Sequence, residues 1–124
     1  MVSRKRSKKR ILVVEDQPLL ASDLADALRA AGAEEVLTST RADQALQMIN
    51  ERVPDVLILD LSLDDSEEGF GIAEIALQLF NPPPRLIFTT GSPERIPERL
   101  VKAGKVYPKP YDADALARDA TGQA

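Results

Sequence analysis

Three acidic side chains directly follow two apolar runs of the sequence. Glu15 and Asp16 follow Ile11–Val14, and Asp60 follows Val56–Leu59. Four aliphatic residues without polar alternation are typical of strands buried on both faces of a parallel sheet, and the carboxyl ends of such strands carry the chemistry of α/β proteins. If the two strands are neighbours, the carboxylates lie ~5 Å apart and repel by about 3 kcal/mol at an effective dielectric constant near 20. Another group must therefore neutralise them.

Two kinds of group can neutralise these carboxylates. One is an oxygen-liganded hard cation, because one or two carboxylates, waters and a substrate phosphate form the usual Mg²⁺ site. The other is Lys109, with one carboxylate paired to it or raised in pKa and no metal present. The chain has no cysteine and no histidine, which excludes disulfides, thiolate or imidazole metal sites and His-dependent triads.

Further polar side chains follow the fourth and fifth apolar segments. Thr89 and Thr90 offer hydroxyl groups, and Lys109 offers a point charge that suits a phosphoryl oxygen. We expect Thr90 in the site and Thr89 facing a helix. Together with the acids, these groups predict a phosphoryl site in which Asp60 is the candidate nucleophile.

Five apolar segments alternate with helical patterns and must position these groups. Such alternation predicts an α/β fold with right-handed crossovers, a flavodoxin-like (βα)5 doubly wound, five-stranded parallel sheet of order 2-1-3-4-5. That order places the ends of the first and third strands side by side. The predicted strands lie at residues 11–14, 36–37, 56–60, 86–88 and 106–107.

Local patterns give expectations for the helices. Thr40 and Asp43 predict a capping box at the second helix. The segment between the fourth and fifth strands contains Pro97 and should hold only a short or interrupted helix. The last helix offers Leu116 and small alanines, so we expect it to be weakly held. The third helix should turn four residues inward: Ile72, Ile75, Ala76 and Leu79.

Charge is distributed unevenly along the chain. Six of the 16 basic residues lie in Arg4–Arg10, and residues 11–124 carry a net charge of −10. We expect a disordered basic leader at residues 1–9, one domain at residues 10–120 and a tail at residues 121–124. No aromatic residue interleaves the basic run, which disfavours nucleic-acid binding. No apolar run approaches the ~20 residues of a membrane span, so we expect a cytoplasmic protein.

Taken in order, these motifs resemble the response-regulator receiver domain of two-component phosphorelays. The spacings of 44 residues from Asp16 to Asp60 and 30 residues from Asp60 to Thr90 are those of the family. The resemblance covers about residues 10 to 120 and implies phosphoryl transfer from a phosphohistidine donor to Asp60. The matching residues are Glu15-Asp16, Asp60, Thr90-Gly91 and Lys109-Pro110.

The resemblance also implies a role for each residue. Asp16 and Asp60 would ligate Mg²⁺ directly, Glu15 would do so through water, and the Ser62 backbone carbonyl would complete the protein ligands. Lys109 would pair with phosphoryl oxygens and precede a cis peptide bond. Thr90 would close onto the phosphoryl group. The implied partners are a sensor histidine kinase or histidine phosphotransfer protein and a downstream protein, with no enzymatic activity beyond the domain's own phosphorylation and dephosphorylation.

Two departures from the family pattern concern the output. The usual switch aromatic would stand at Val106, whereas the aromatic here is Tyr107, which a strand places on the opposite face. Phe88–Ser92 is similar to the Phe-Ala-Thr-Gly-Tyr run of an atypical subgroup, without the final Tyr. That likeness implies an output that does not use the common surface of helix four, strand five and helix five. Because no output domain fits in the remaining residues, we expect a stand-alone receiver.

Two other functions compete with the phosphoacceptor. A receiver-like binding module that signals without phosphorylation is the main alternative, which Tyr107 and the short fourth helix favour. An Asp-nucleophile phosphohydrolase is disfavoured, because such enzymes place a general acid two residues after the nucleophile, where this chain has Ser62.

Overall fold

The fold is a five-stranded parallel sheet in the order β2-β1-β3-β4-β5. A computed structural model describes residues 9–62 and 68–122. The predicted fold class and strand order are confirmed. Most of the predicted basic leader and the last two residues of the predicted tail lie outside the described residues. The strands are β1 (Arg10–Val14), β2 (Glu35–Ser39), β3 (Val56–Asp60), β4 (Arg85–Thr90) and β5 (Gly104–Pro108).

Helices cover both faces of the sheet. They are α1 (Pro18–Ala30), α2 (Ala42–Glu51), α3 (Glu68–Leu79), α4 (Glu98–Val101) and α5 (Ala113–Thr121), with a 3-10 turn at Pro93–Arg95. The apolar core has two parts, one between the sheet and helices α2, α3 and α4, the other between the sheet and helices α1 and α5. None of the helices in the described ranges is both long and apolar enough to cross a membrane.

The central strands β1 and β3 explain why the acids meet. They pair in parallel register, with Val14 opposite Leu59, and every residue of β3 is buried. Alternate residues of each strand serve the two parts of the core. The residues that follow Val14 and Leu59 therefore emerge at the same edge of the sheet.

The helix between β4 and β5 is short, as predicted. Pro97 occupies the residue before α4, and α4 has only four residues. Ile96 and Leu100 are buried in the core on the α2, α3 and α4 face. Burial of these two side chains anchors the segment between β4 and β5, which contains little regular structure, to the core.

The predicted capping box at α2 is wrong. The helix begins at Ala42 after Arg41, and no side chain caps it. The Asp43 carboxylate instead pairs with the Arg41 guanidinium, while Ser39 Oγ accepts the Arg41 N–H at 3.3 Å. The Asp43 carboxylate, which the capping-box pattern paired with Thr40, therefore pairs with Arg41 instead.

The inward face of α3 is narrower than predicted. Ile72 and Ala76 are buried, but Ile75 is 37% exposed and Leu79 is 70% exposed. Successive helical residues are 100° apart, so these two side chains lie on a flank of the buried face rather than at its centre.

Helix α5 is firmly held, contrary to our expectation. Leu116, Ala117 and Ala120 are buried and form part of the core between α1, α5 and the sheet. The Asp112 side chain accepts hydrogen bonds from two backbone N–H groups of the first turn. Small alanines allow the close packing that a large side chain would prevent, so their size is not a weakness here.

A second set of contacts ties α5 to the sheet. The Asp119 carboxylate accepts hydrogen bonds from Arg85 Nη2 at 2.6 Å and from Tyr107 Oη at 2.7 Å. Lys105 Nζ lies 3.2 Å from the same carboxylate. We call these four residues the Asp119 network. It joins α5 to both β4 and β5.

Candidate functional site

Glu15, Asp16 and Asp60 lie together at the carboxyl edge of β1 and β3. One carboxylate oxygen of each lies within 4.8 Å of the others. Glu15 is 2% exposed and Asp60 is 1% exposed. The Glu15 carboxylate accepts the Gln17 N–H at 3.1 Å, and its backbone N–H donates to the Ser39 carbonyl at 3.0 Å. Backbone contacts therefore fix the orientation of Glu15.

Lys109 bridges two of the three carboxylates. Its Nζ lies 3.0 Å from Glu15 Oε1 and 3.2 Å from Asp60 Oδ2. Its backbone N–H donates to the Thr90 carbonyl at 2.7 Å. The Lys109–Pro110 peptide bond is cis, as the family resemblance implied. The backbone hydrogen bond of Lys109 to Thr90 and the contacts of its side chain together place the ammonium group beside Asp60.

The close approach of Lys109 and the buried carboxylates shifts the pKa values of Glu15 and Lys109. Burial raises the pKa of Glu15 to about 7; the hydrogen bond from Lys109 opposes the rise, and the negative charge of Asp60 adds to it. Burial lowers the pKa of Lys109, but its hydrogen bond to Glu15 and the charge of Asp60 outweigh this effect, so the pKa is raised. The lysine pairing that the sequence left open as an alternative is therefore present.

The donor set also fits a divalent cation. The cluster holds three carboxylates, and Lys109 contacts those of Glu15 and Asp60. Oxygen ligands from one or two carboxylates, completed by water and phosphate, are what Mg²⁺ prefers. The residues that could hold the ion are Glu15, Asp16 and Asp60. The role predicted for the Ser62 carbonyl stays a prediction.

Thr90 reaches the site through Ser62. The Ser62 N–H donates to Asp60 Oδ1 at 2.9 Å, and the Ser62 and Thr90 hydroxyl oxygens are 3.4 Å apart. Thr90 Oγ1 also accepts the Ser92 N–H at 3.0 Å. Thr89 stands opposite Asp60 in the strand register. The structure therefore brings Thr90 towards Asp60, as the sequence predicted, and the functional roles of both remain predictions.

Sequence reasoning missed three contributors to the site. The Gln17 and Ser92 N–H groups are backbone donors, for which a sequence carries no residue-specific signal. A Cβ on Gly69 would lie 2.7 Å from the Asp60 carbonyl oxygen, so the missing side chain lets α3 approach the end of β3. A glycine inside a helical pattern is a signal of close backbone approach that could have identified this third residue.

The displaced aromatic lies on the predicted face. Val106 packs against the core beneath α2, α3 and α4, whereas Tyr107 packs against the core beneath α1 and α5. Tyr111 packs on that second side as well. Burial raises the pKa of Tyr111 to about 12, and the charges of Glu15 and Asp60 add to the rise. The negative charges of Glu15 and Asp60 therefore disfavour ionisation of the Tyr111 hydroxyl.

Comparison with known proteins agrees with this geometry. The sequence profile described as "Response regulator receiver domain" matches residues 11–120. Phyllosphere-induced regulator PhyR of Methylorubrum extorquens is 30% identical over 86 residues, which are 68% of this chain and 32% of that protein. Transcriptional regulatory protein PdtaR of Mycobacterium tuberculosis is 29% identical over 110 residues, which are 87% of this chain and 53% of that protein. The chain thus spans roughly a third to a half of the length of these curated relatives.

A solved structure shows the same fold. The CheY-like response regulator receiver domain from Methylobacillus flagellatus aligns with a TM-score of 0.80 over 95% of this chain and 100% of that chain. The sequence identity is 20%, so this likeness concerns the architecture alone.

Proposed function

Because the chain belongs to the response regulator receiver domain family, we propose that it accepts a phosphoryl group on Asp60 from a phosphohistidine. The donor would be a sensor histidine kinase or a histidine phosphotransfer protein. The observation that carries the proposal is the 3.2 Å contact of Lys109 Nζ with Asp60 Oδ2, beside the cluster of three carboxylates.

The reaction is a transfer between two side chains. A carboxylate oxygen of Asp60 attacks the phosphorus, the bond between phosphorus and the donor's imidazole nitrogen breaks, and the electron pair leaves on that nitrogen. The phosphoryl group brings further negative charge to a site that already holds three acids. Lys109 is placed to pair with a phosphoryl oxygen, and burial strengthens this attraction because water screens it less.

A metal ion completes the charge balance in this proposal. Glu15, Asp16 and Asp60 would hold Mg²⁺ with the Ser62 carbonyl, and the ion when bound would neutralise charge on the transferring phosphoryl oxygens. The reason to expect a cation is the chemistry of the donors, three carboxylates whose oxygens lie within 4.8 Å of one another. The protein's share of the chemistry is orientation of Asp60 and exclusion of water around it.

The output would begin at Thr90 and act through a partner protein. Thr90 Oγ1 accepts the Ser92 N–H at 3.0 Å, and Ser92 leads into the Pro93–Arg95 turn and α4. Movement of the Thr90 hydroxyl towards a phosphoryl oxygen would therefore displace this short segment. The domain would signal by contact with a downstream protein and would not turn over a substrate.

The proposal is tested by loading the protein with a small phosphodonor and Mg²⁺. We expect a Mg²⁺-dependent mass gain of one phosphoryl group in the wild-type protein and none in Asp60→Asn. Asp55→Asn is a matched control, because Asp55 precedes the same strand but lies at its opposite end. A wild-type protein that is folded but gains no mass with any donor would contradict the proposal.

A second candidate is a binding module that signals without phosphorylation. The observation that favours it is the Tyr107 hydrogen bond to Asp119, which holds the β5 aromatic away from the Thr90 side of the sheet. Partner binding that is equal for wild type, Asp60→Asn and phosphorylated protein would favour this candidate over the first.

A further inference from the structure

Among the described residues the Thr90 hydroxyl has two hydrogen-bond partners, and one of the two can accept its hydrogen. Thr90 is 3% exposed. The Ser92 N–H at 3.0 Å is a donor, so the Thr90 oxygen accepts there. The Ser62 hydroxyl oxygen at 3.4 Å is the acceptor that the described contacts of this hydroxyl provide.

Burial decides the direction of the bond between the two hydroxyls. A buried hydroxyl hydrogen without an acceptor is costly, whereas a hydroxyl with access to water is not. Ser62 is only half-buried, so its own hydrogen can go to water. Thr90 therefore donates to Ser62 in the resting protein.

Ser62 also touches the residue that would be phosphorylated. Its backbone N–H donates to Asp60 Oδ1 at 2.9 Å, while its side chain holds Thr90. A phosphoryl oxygen on Asp60 that takes the Thr90 hydrogen must take it away from Ser62, because a hydroxyl has one hydrogen to donate.

We propose that Ser62 is a positioning residue whose hydroxyl holds Thr90 in its resting place and competes with the phosphoryl group for the Thr90 hydrogen. This inference rests on the proposed function. It gives Ser62 a side-chain role that is separate from the metal-ligand role predicted for its carbonyl. The Ser62 hydroxyl then sets how readily a phosphoryl group at Asp60 is converted into movement of Ser92 and α4.

Beryllofluoride binding in the presence of Mg²⁺ tests the competition, because this phosphoryl analogue binds without a transfer step. Ser62→Ala keeps the backbone N–H and carbonyl but removes the acceptor, so it should bind beryllofluoride roughly three- to tenfold more tightly than wild type, the range of one neutral hydrogen bond. Ser62→Thr keeps a hydroxyl and should restore the wild-type affinity. In a Thr90→Ala background, Ser62→Ala should have no further effect.

The outcomes separate this inference from the proposed function. Equal or weaker binding by Ser62→Ala, or the same gain in the Thr90→Ala background, would overturn the competition while leaving the phosphoacceptor intact. Failure of folded wild-type protein to bind beryllofluoride would instead contradict the proposed function. An independent readout is the resting protein without analogue, in which Ser62→Ala should speed amide hydrogen exchange at Ser92. Unchanged exchange there also overturns the inference.

Discussion

Tyr107 donates a hydrogen bond to Asp119 at 2.7 Å, and this contact joins the edge strand β5 to helix α5. Arg85 from β4 donates to the same carboxylate. Burial alone would raise the pKa of Asp119, but the hydrogen bonds from Arg85, Tyr107 and Lys105 outweigh it and lower the pKa to about 2. The charged contacts of the Asp119 network therefore stabilise the fold while Asp119 is ionised.

Asp119→Asn should lower the free energy of unfolding by about 1 kcal/mol at pH 7, allowing for solvent screening in this partly exposed network. In the folded protein Asp119 binds a proton less readily than in the unfolded chain. Its contribution is thus complete above about pH 4 and is lost as pH falls towards about 2. Urea unfolding of both proteins at pH 7 and near pH 2.5 measures the difference, which should shrink at the lower pH.

The control for this experiment is Asp26→Asn. Asp26 forms an exposed ion pair with Arg29 within α1, and such pairs contribute little to stability. A difference between wild type and Asp119→Asn that stays constant from pH 7 to pH 2.5 would mean that the carboxylate charge does not hold the network.

Tyr107→Phe should separate fold stability from phosphoryl binding. The loss of one hydrogen bond to a charged partner should cost about 1 kcal/mol in the free energy of unfolding. Thr90 shares a sheet face with Phe88, two residues before it, and Phe88 packs with Val106 beneath α2, α3 and α4. Since Tyr107 lies on the other face, beryllofluoride affinity in Mg²⁺ should change by less than about twofold. A tenfold change would show that Tyr107 takes part in the switch after all.

The parts of this fold that the sequence predicted best are the strands, whose pattern of apolar residues reflects their burial. Ile11–Val14 and Val56–Leu59 are uninterrupted aliphatic runs, and such a short run is typical of a strand covered on both faces. Once they are strands of a βα alternation, topology places Asp16 and Asp60 at one edge. The same alternation rule correctly put Tyr107 on the face opposite Val106.

The parts that sequence missed depend on contacts between distant residues. Arg85 and Asp119 are 34 positions apart, and no periodic pattern links them, so the firm hold on α5 was not visible. Ile75 and Leu79 obey a helical period yet stay exposed, because the core is narrower than the apolar stripe. The hydrogen bond from the Ser62 N–H to the Asp60 carboxylate depends on the turn after β3, which Asp favours but which the period of the apolar residues does not predict.

Asp60→Asn should stabilise the protein when metal is removed by a chelator. The substitution deletes one of three crowded carboxylates and leaves Lys109 paired with Glu15 at 3.0 Å. Relief of repulsion should raise the free energy of unfolding by about 1 kcal/mol at pH 7.5, within the range for charges at an effective dielectric constant near 20. Thermal or urea unfolding with chelator measures this gain.

Added Mg²⁺ provides the matching half of the Asp60→Asn experiment. A ligand that binds the folded state stabilises it by mass action, so wild type should gain stability with Mg²⁺ and the variant should gain clearly less. Equal Mg²⁺ dependence in the two proteins would show that Asp60 is not a ligand. If Asp60→Asn is less stable than wild type in the presence of the chelator, the charge of the Asp60 carboxylate is instead fully compensated by Lys109 and by the backbone N–H that donates to Asp60.

Gly69 and Gly71 offer a matched pair for testing how α3 approaches the site. Both lie in α3, where alanine is favoured over glycine by up to about 1 kcal/mol. A Cβ at Gly71 meets nothing within 4 Å, whereas a Cβ at Gly69 would lie 2.7 Å from the Asp60 carbonyl oxygen and 3.0 Å from Leu61 Cα. Both of these neighbours are backbone atoms, so they cannot move away by a side-chain rotation.

Gly71→Ala should therefore stabilise the protein slightly, and Gly69→Ala should destabilise it by about 1–3 kcal/mol, as overpacking does. Urea unfolding of the two variants gives the comparison directly, and equal effects of the two substitutions would show that α3 does not press against the end of β3.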